Sequence, residues 1–112
     1  MKRKALIISI KGLSLSSQEK SLLSKEKPWG LILFRKNIKS FKQTQKLIKD
    51  VKKYSKDKKF PILIDEEGVR VTRLIEIINH NISANFFGRL YELDKKFAVS
   101  IYKIYLKNLC KK

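Results

Sequence analysis

The sequence predicts an α/β fold built on a parallel sheet. Short apolar runs rich in Ile and Leu recur at 4–10, 29–34 and 60–64. Segments with a helical period stand between and after them, and charged or turn-forming residues separate the two kinds. Strands that alternate with helices imply right-handed crossovers and parallel pairing.

The first run, Lys4-Ala-Leu-Ile-Ile-Ser-Ile10, is nearly continuous, the pattern of a strand covered on both faces. Its basic lead-in, Lys2-Arg3-Lys4, imitates a signal peptide. The apolar stretch is too short for one, however, and no small-residue cleavage site follows, so a first strand is expected. After Gly12, Ser16 and Glu19 fit a capping box that opens a short helix to about Ser24. Pro28 ends that region, and Trp29–Phe34 reads as a second buried strand. Arg35-Lys36-Asn37 is a polar turn. Ser40 and Gln43 form a second capping-box pattern, and the helix it opens places Phe41, Thr44, Leu47, Ile48 and Val51 on one face. Lys42, Lys46, Lys49 and Lys53 fall on the other face, the pattern of a solvated side. A third strand is expected at 60–64. Residues 75–91 show no clear period, and a strong helix is expected from about Asp94 to Cys110, with Phe97, Ala98, Ile101, Ile104, Tyr105 and Leu109 on one face.

Three strands and their helices make either a small open α/β sheet or a piece of something larger, because a closed (β/α)8 barrel takes about 250 residues. With 43% hydrophobic residues in a chain of 112, a folded core is expected. No apolar run reaches the roughly eighteen residues of a membrane helix. A single cysteine, Cys110, excludes an internal disulfide and suits the cytoplasm. The net charge of +17 raises the alternative of a basic module that binds nucleic acid or another polyanion. Of the 27 basic residues, however, 22 are Lys and 5 are Arg, and they are scattered. Arg is the usual reader of phosphates and bases. No Gly-rich phosphate loop, zinc-ligand spacing or RNA-binding aromatic motif accompanies the charge.

In α/β sheets function gathers at the carboxyl ends of the strands. Two segments fall there: Phe34–Asn37 and Asp65–Arg73. The second packs Asp65, Glu66, Glu67, Arg70 and Arg73 around Gly68. A strand-end Asp can accept hydrogen bonds from sugar hydroxyls, and a nearby Arg can donate to them. Equally, the same residues suit a solvated acidic loop tied to Arg70 and Arg73 by surface ion pairs. Glu66 and Glu67 are adjacent and tend to point apart, so they do not make the facing carboxylate pair of a glycosidase.

The segments Gly30-Leu-Ile-Leu-Phe-Arg-Lys-Asn37 and Asp65-Glu-Glu-Gly-Val-Arg-Val-Thr-Arg73 resemble two motifs of the bacterial β-N-acetylhexosaminidases of glycoside hydrolase family 3. These are Gly-x-Ile-Leu-Phe-x-Arg-Asn and Asp-Gln-Glu-Gly-Gly-Arg-Val-x-Arg. The segment 12–19 falls where the family has a Gly and a capped short helix. The resemblance covers 4–74 and, loosely, the last helix. It implies the first three strands and helices of a (β/α)8 barrel that removes terminal N-acetylglucosamine from peptidoglycan-derived fragments in the cytoplasm. By the same resemblance Asp65 and Arg73 contact the sugar, while Glu67, Gly68 and Arg70 support the loop. No cofactor or metal is implied.

The family's retaining mechanism uses a later Asp as nucleophile and a loop His as acid/base, and a Lys-His pair also holds the sugar. None of these motifs falls within these residues, so catalysis by this chain alone is not expected. The only histidine, His80, is expected to be an ordinary loop residue. Two positions depart from the signature. Glu66 replaces Gln and adds a negative charge, and Val69 replaces the second Gly, where a positive φ would strain a β-branched residue. A third reading keeps Asp65 and Arg73 as a sugar site on a small open α/β protein without catalysis.

Overall fold

The three apolar runs become strands in the computed structural model, which describes residues 2–111. They are β1 (Lys4–Ile8), β2 (Pro28–Leu33) and β3 (Ile62–Ile64), in one parallel sheet of order β1-β2-β3. Ile8 lies opposite Leu31, which in turn lies opposite Ile62, so β2 is central. Gly30 permits the close approach of β2 to β3. A Cβ there would stand 3.1 Å from the Pro61 carbonyl oxygen, tighter than side chains ordinarily pack.

Helix α1 (Ser17–Glu26) starts at the predicted capping box. The Ser16 hydroxyl accepts the Glu19 amide at 3.2 Å, and Glu19 Oε2 accepts the Ser16 amide at 2.8 Å. The helix ends on Lys27, which is left-handed at φ 49°. Helix α2 (Phe41–Tyr54) is capped by Ser40, but the second capping box is only half formed. Gln43 Oε1 accepts the Lys39 amide (2.8 Å), not that of Ser40, and its Nε2 donates to the carbonyls of Leu13 (2.7 Å) and Asn37 (3.0 Å). The side chain is long enough to bridge two loops, and those bonds outcompete the local one. Thr44, Leu47 and Val51 are buried as their spacing predicts, and the four lysines of the opposite face are exposed. Leu47 and Val51 join Ile10, Leu15, Leu23, Leu31, Leu33, Ile38 and Phe60 in one core beside the sheet.

After β3 the chain runs irregularly to Ser83, then forms α3 (Ala84–Leu93) and α4 (Lys95–Cys110). Helix α3 lies where the sequence shows no clear period. It is held by the Ser83 cap, whose hydroxyl accepts the Phe86 amide at 3.2 Å, and by aromatic packing against α4. Helix α4 begins where it is expected, and Asp94 caps it by accepting the Phe97 amide at 3.0 Å. Of its expected apolar face only Ala98 is fully buried, and Phe97 and Ile104 are more than half exposed.

The first strand also departs from expectation. Its run suits burial on both faces, yet Leu6 and Ile7 are 49% and 46% exposed. As an edge strand, β1 has no covering element over these side chains among the described residues. No helix of the described residues is long and apolar enough to cross a membrane.

Candidate functional site

The carboxyl ends of β1 and β2 meet around Asn37, which is fully buried. Its Oδ1 accepts the Phe34 amide at 2.9 Å, and its Nδ2 donates to the carbonyls of Ile10 (3.1 Å) and Gly12 (2.8 Å). One amide side chain thus ties the end of β2 to the end of β1 and satisfies three backbone groups that leave the sheet without partners. The sequence marks Asn37 as the last residue of a polar turn and of a family-like motif. Nothing short of the fold could reveal that the turn's last residue points inward.

Asp65 follows β3 directly and is exposed, as are Glu67 and Arg70. Gly68 is buried with φ +106°, a conformation that L side chains rarely adopt. The Glu67 amide donates to the Val71 carbonyl at 3.0 Å and closes the bend around it. Val69 is not left-handed, so its replacement of a glycine brings no backbone strain. Arg73 lies over the Phe34 ring, with its guanidinium carbon 5.4 Å from the centroid, and its buried Nε has no hydrogen-bond partner among the described residues. Asp65 and Arg73 therefore stand at opposite ends of one loop on the same side of the sheet. Among the described residues no ion pair joins the carboxylates of 65–67 to Arg70 or Arg73.

Glu66 holds the loop instead. Its Oε2 accepts the amides of Arg73 (2.8 Å) and Leu74 (3.0 Å). Its Oε1 lies 3.0 Å from His80 Nε2, and His80 Nδ1 lies 2.7 Å from the Tyr105 hydroxyl on α4. The Glu66 and His80 side chains are each only 7% exposed. Burial pushes the Glu66 carboxyl up. The adjacent Thr72 hydroxyl (which meets no full hydrogen-bond geometry), the two amides and His80 more than reverse that, so the group ends below its ordinary value. The Tyr105 hydroxyl is pushed up by burial and by the charges of Glu66 and Tyr102. His80 is thus not the ordinary loop residue expected of it but the middle of a buried chain of hydrogen bonds.

No protein-family model matches the chain. A β-hexosaminidase of Haemophilus ducreyi is 40% identical over 85 residues, 76% of this chain and 24% of that protein. One from Haemophilus influenzae is 42% identical over 69 residues, 62% of this chain and 19% of its own length. Among solved structures, NagZ from Neisseria gonorrhoeae in complex with N-trifluoroacetyl-D-glucosamine superposes with a TM-score of 0.71 at 30% identity. The match covers 82% of this chain and 26% of NagZ. By sequence and by fold, the chain matches the N-terminal portion of the family 3 β-N-acetylhexosaminidases. A family 3 β-N-acetylglucosaminidase from Paenibacillus also superposes, with a TM-score of 0.57 at 26% identity over 69% of this chain and 14% of its own. The chain spans about a quarter of the length of the hexosaminidases it matches. Both departures from the hexosaminidase signature are accommodated: Val69 has unstrained backbone, and the carboxylate of Glu66 is fully used by two amides and a histidine.

Proposed function

We propose that this chain supplies the sugar-contacting part of a retaining β-N-acetylhexosaminidase. That enzyme would act on terminal N-acetylglucosamine of peptidoglycan-derived fragments in the cytoplasm. The observation that carries the reading is the signature loop at the carboxyl end of β3, in a chain that matches hexosaminidases both by sequence and by fold. Asp65 would accept hydrogen bonds from the sugar hydroxyls and Arg73 would donate to them. Gly68 supplies the backbone conformation that brings the two ends of the loop together, and Glu67 and Arg70 frame it. The exposed Leu6 and Ile7 of the edge strand suit a sheet that continues into a (β/α)8 barrel, where neighbouring elements would cover them.

The nucleophile and the acid/base of the family mechanism are not among these residues, so this chain alone binds but does not hydrolyse. The test is a titration of the purified chain with N-acetylglucosamine, followed by amide shifts of 65–74. Saturable binding that Asp65→Ala abolishes, with the fold intact, is the expected result. No detectable binding of the unaltered chain at millimolar sugar would sink the reading.

A further inference from the structure

The buried chain of hydrogen bonds from α4 into the signature loop is not explained by the sugar contacts themselves. Tyr105 meets His80, His80 meets Glu66, and Glu66 meets the amides of Arg73 and Leu74. We propose that His80 and Tyr105 are positioning residues that fix Glu66, and through it the backbone at Arg73, so that the loop is presented to its ligand in one conformation.

The donors and acceptors allow one arrangement with a neutral imidazole. The Glu66 carboxylate is acceptor only, and Oε2 already takes two amides. His80 must then donate through Nε2–H to Oε1, which leaves Nδ1 to accept from the Tyr105 hydroxyl at 2.7 Å. The donors run in one direction, from tyrosine to histidine to carboxylate, and each member fixes the next. Packing fixes the first member. The Tyr105 ring lies 5.2 Å from that of Phe87 on α3, and the Phe87 and Tyr102 rings are 4.8 Å apart. Helix α4 thereby reaches the loop through the Tyr105 side chain. With the glutamine of the family signature at position 66, the same geometry would need the other tautomer. The Gln Nε2 would donate to His80 Nε2, and Nδ1–H would donate to Tyr105.

That inversion gives a signature that mere packing would not move. The experiment records imidazole nitrogen shifts of the isotope-labelled full chain near neutral pH, with Glu66→Gln and Tyr105→Phe alongside. The unaltered chain is expected to show His80 protonated on Nε2, and Glu66→Gln to show it protonated on Nδ1. Solvent-averaged His80 resonances in the unaltered chain, from an unfolded chain or from a loop detached from α4, overturn the proposal. So does an unchanged tautomer in Glu66→Gln. The functional half rests on the sugar-binding reading and is read separately. Tyr105→Phe is expected to weaken N-acetylglucosamine binding about tenfold, the equivalent of one buried hydrogen bond. Binding equal to that of the unaltered chain overturns the positioning role. If the unaltered chain binds no sugar, that reading fails, and the tautomer result alone decides whether the network holds the loop.

Discussion

Gly68 has a positive φ inside a loop whose other residues have ordinary backbone. Gly68→Ala has room for its Cβ, 3.7 Å from the Ile82 carbonyl, so the penalty is conformational and not steric. A loss of about 1–2 kcal/mol by chemical denaturation is expected, with the amides of 65–74 shifted. Asn37 is a different case, because three backbone groups depend on it. Asn37→Ala leaves them buried without partners and should cost about 3 kcal/mol. Glu66 makes the loop sensitive to acid. Its folded pKa lies below the unfolded value of 4.5, so its stabilising effect is present above that pH and is lost as pH falls through the folded value. Amide exchange at Arg73 and Leu74 should accelerate on acidification before the core amides of Leu31 and Val51 respond. Tyr105 has the opposite sign. Its folded pKa is raised, so its effect is present below the ordinary value of 10.0 and is lost as pH rises through the folded one.

At the scale of elements, the N-caps at Ser16 and Ser40 were legible because capping is local. A hydroxyl three residues before an amide needs no tertiary partner. The apolar face of α2 was legible for the same kind of reason, since its period is intrinsic to the helix. Helix α3 was not legible. Its sequence, Ala84-Asn-Phe-Phe-Gly-Arg-Leu-Tyr-Glu-Leu93, carries a Gly and an Asn that weaken the helical pattern, and Phe87 meets the rings of Tyr102 and Tyr105 only once α4 is in place. The end of α1 holds an unused gain in stability. Lys27 adopts the left-handed conformation that favours glycine, so Lys27→Gly should raise stability by about 1 kcal/mol, read from the denaturation midpoint. In the core between α2 and the sheet, Leu47→Ala should cost about 3 kcal/mol.

The whole molecule is long for its size. The Cα radius of gyration is 16.8 Å, with extents of 52 × 29 × 20 Å, whereas a compact domain of this length would measure about 13 Å. The core clusters at the sheet with α1 and α2, and α3–α4 forms a second body joined through the loop and the His80 contacts. Small-angle scattering of the monomer should give a radius near the larger value. A value near 13 Å would mean that α3 and α4 fold back onto the sheet. Exposed apolar side chains stand on both bodies, Leu6 and Ile7 on β1 and Phe97 and Ile104 on α4.

Local signals in the sequence set the strands, their parallel pairing, three of the four helices, and the signature loop with Asp65, Gly68 and Arg73. All of these follow from local periodicity, local capping or a contiguous motif. Contacts between distant segments had to await the fold: Asn37 and Gln43 bridge loops, β1 is half uncovered, and Glu66, His80 and Tyr105 meet. Fourteen residues of chain separate Glu66 from His80 and another 25 separate His80 from Tyr105. A hydrogen bond across such distances in sequence leaves no period and no spacing to read, because the angle at which α4 meets the loop fixes it.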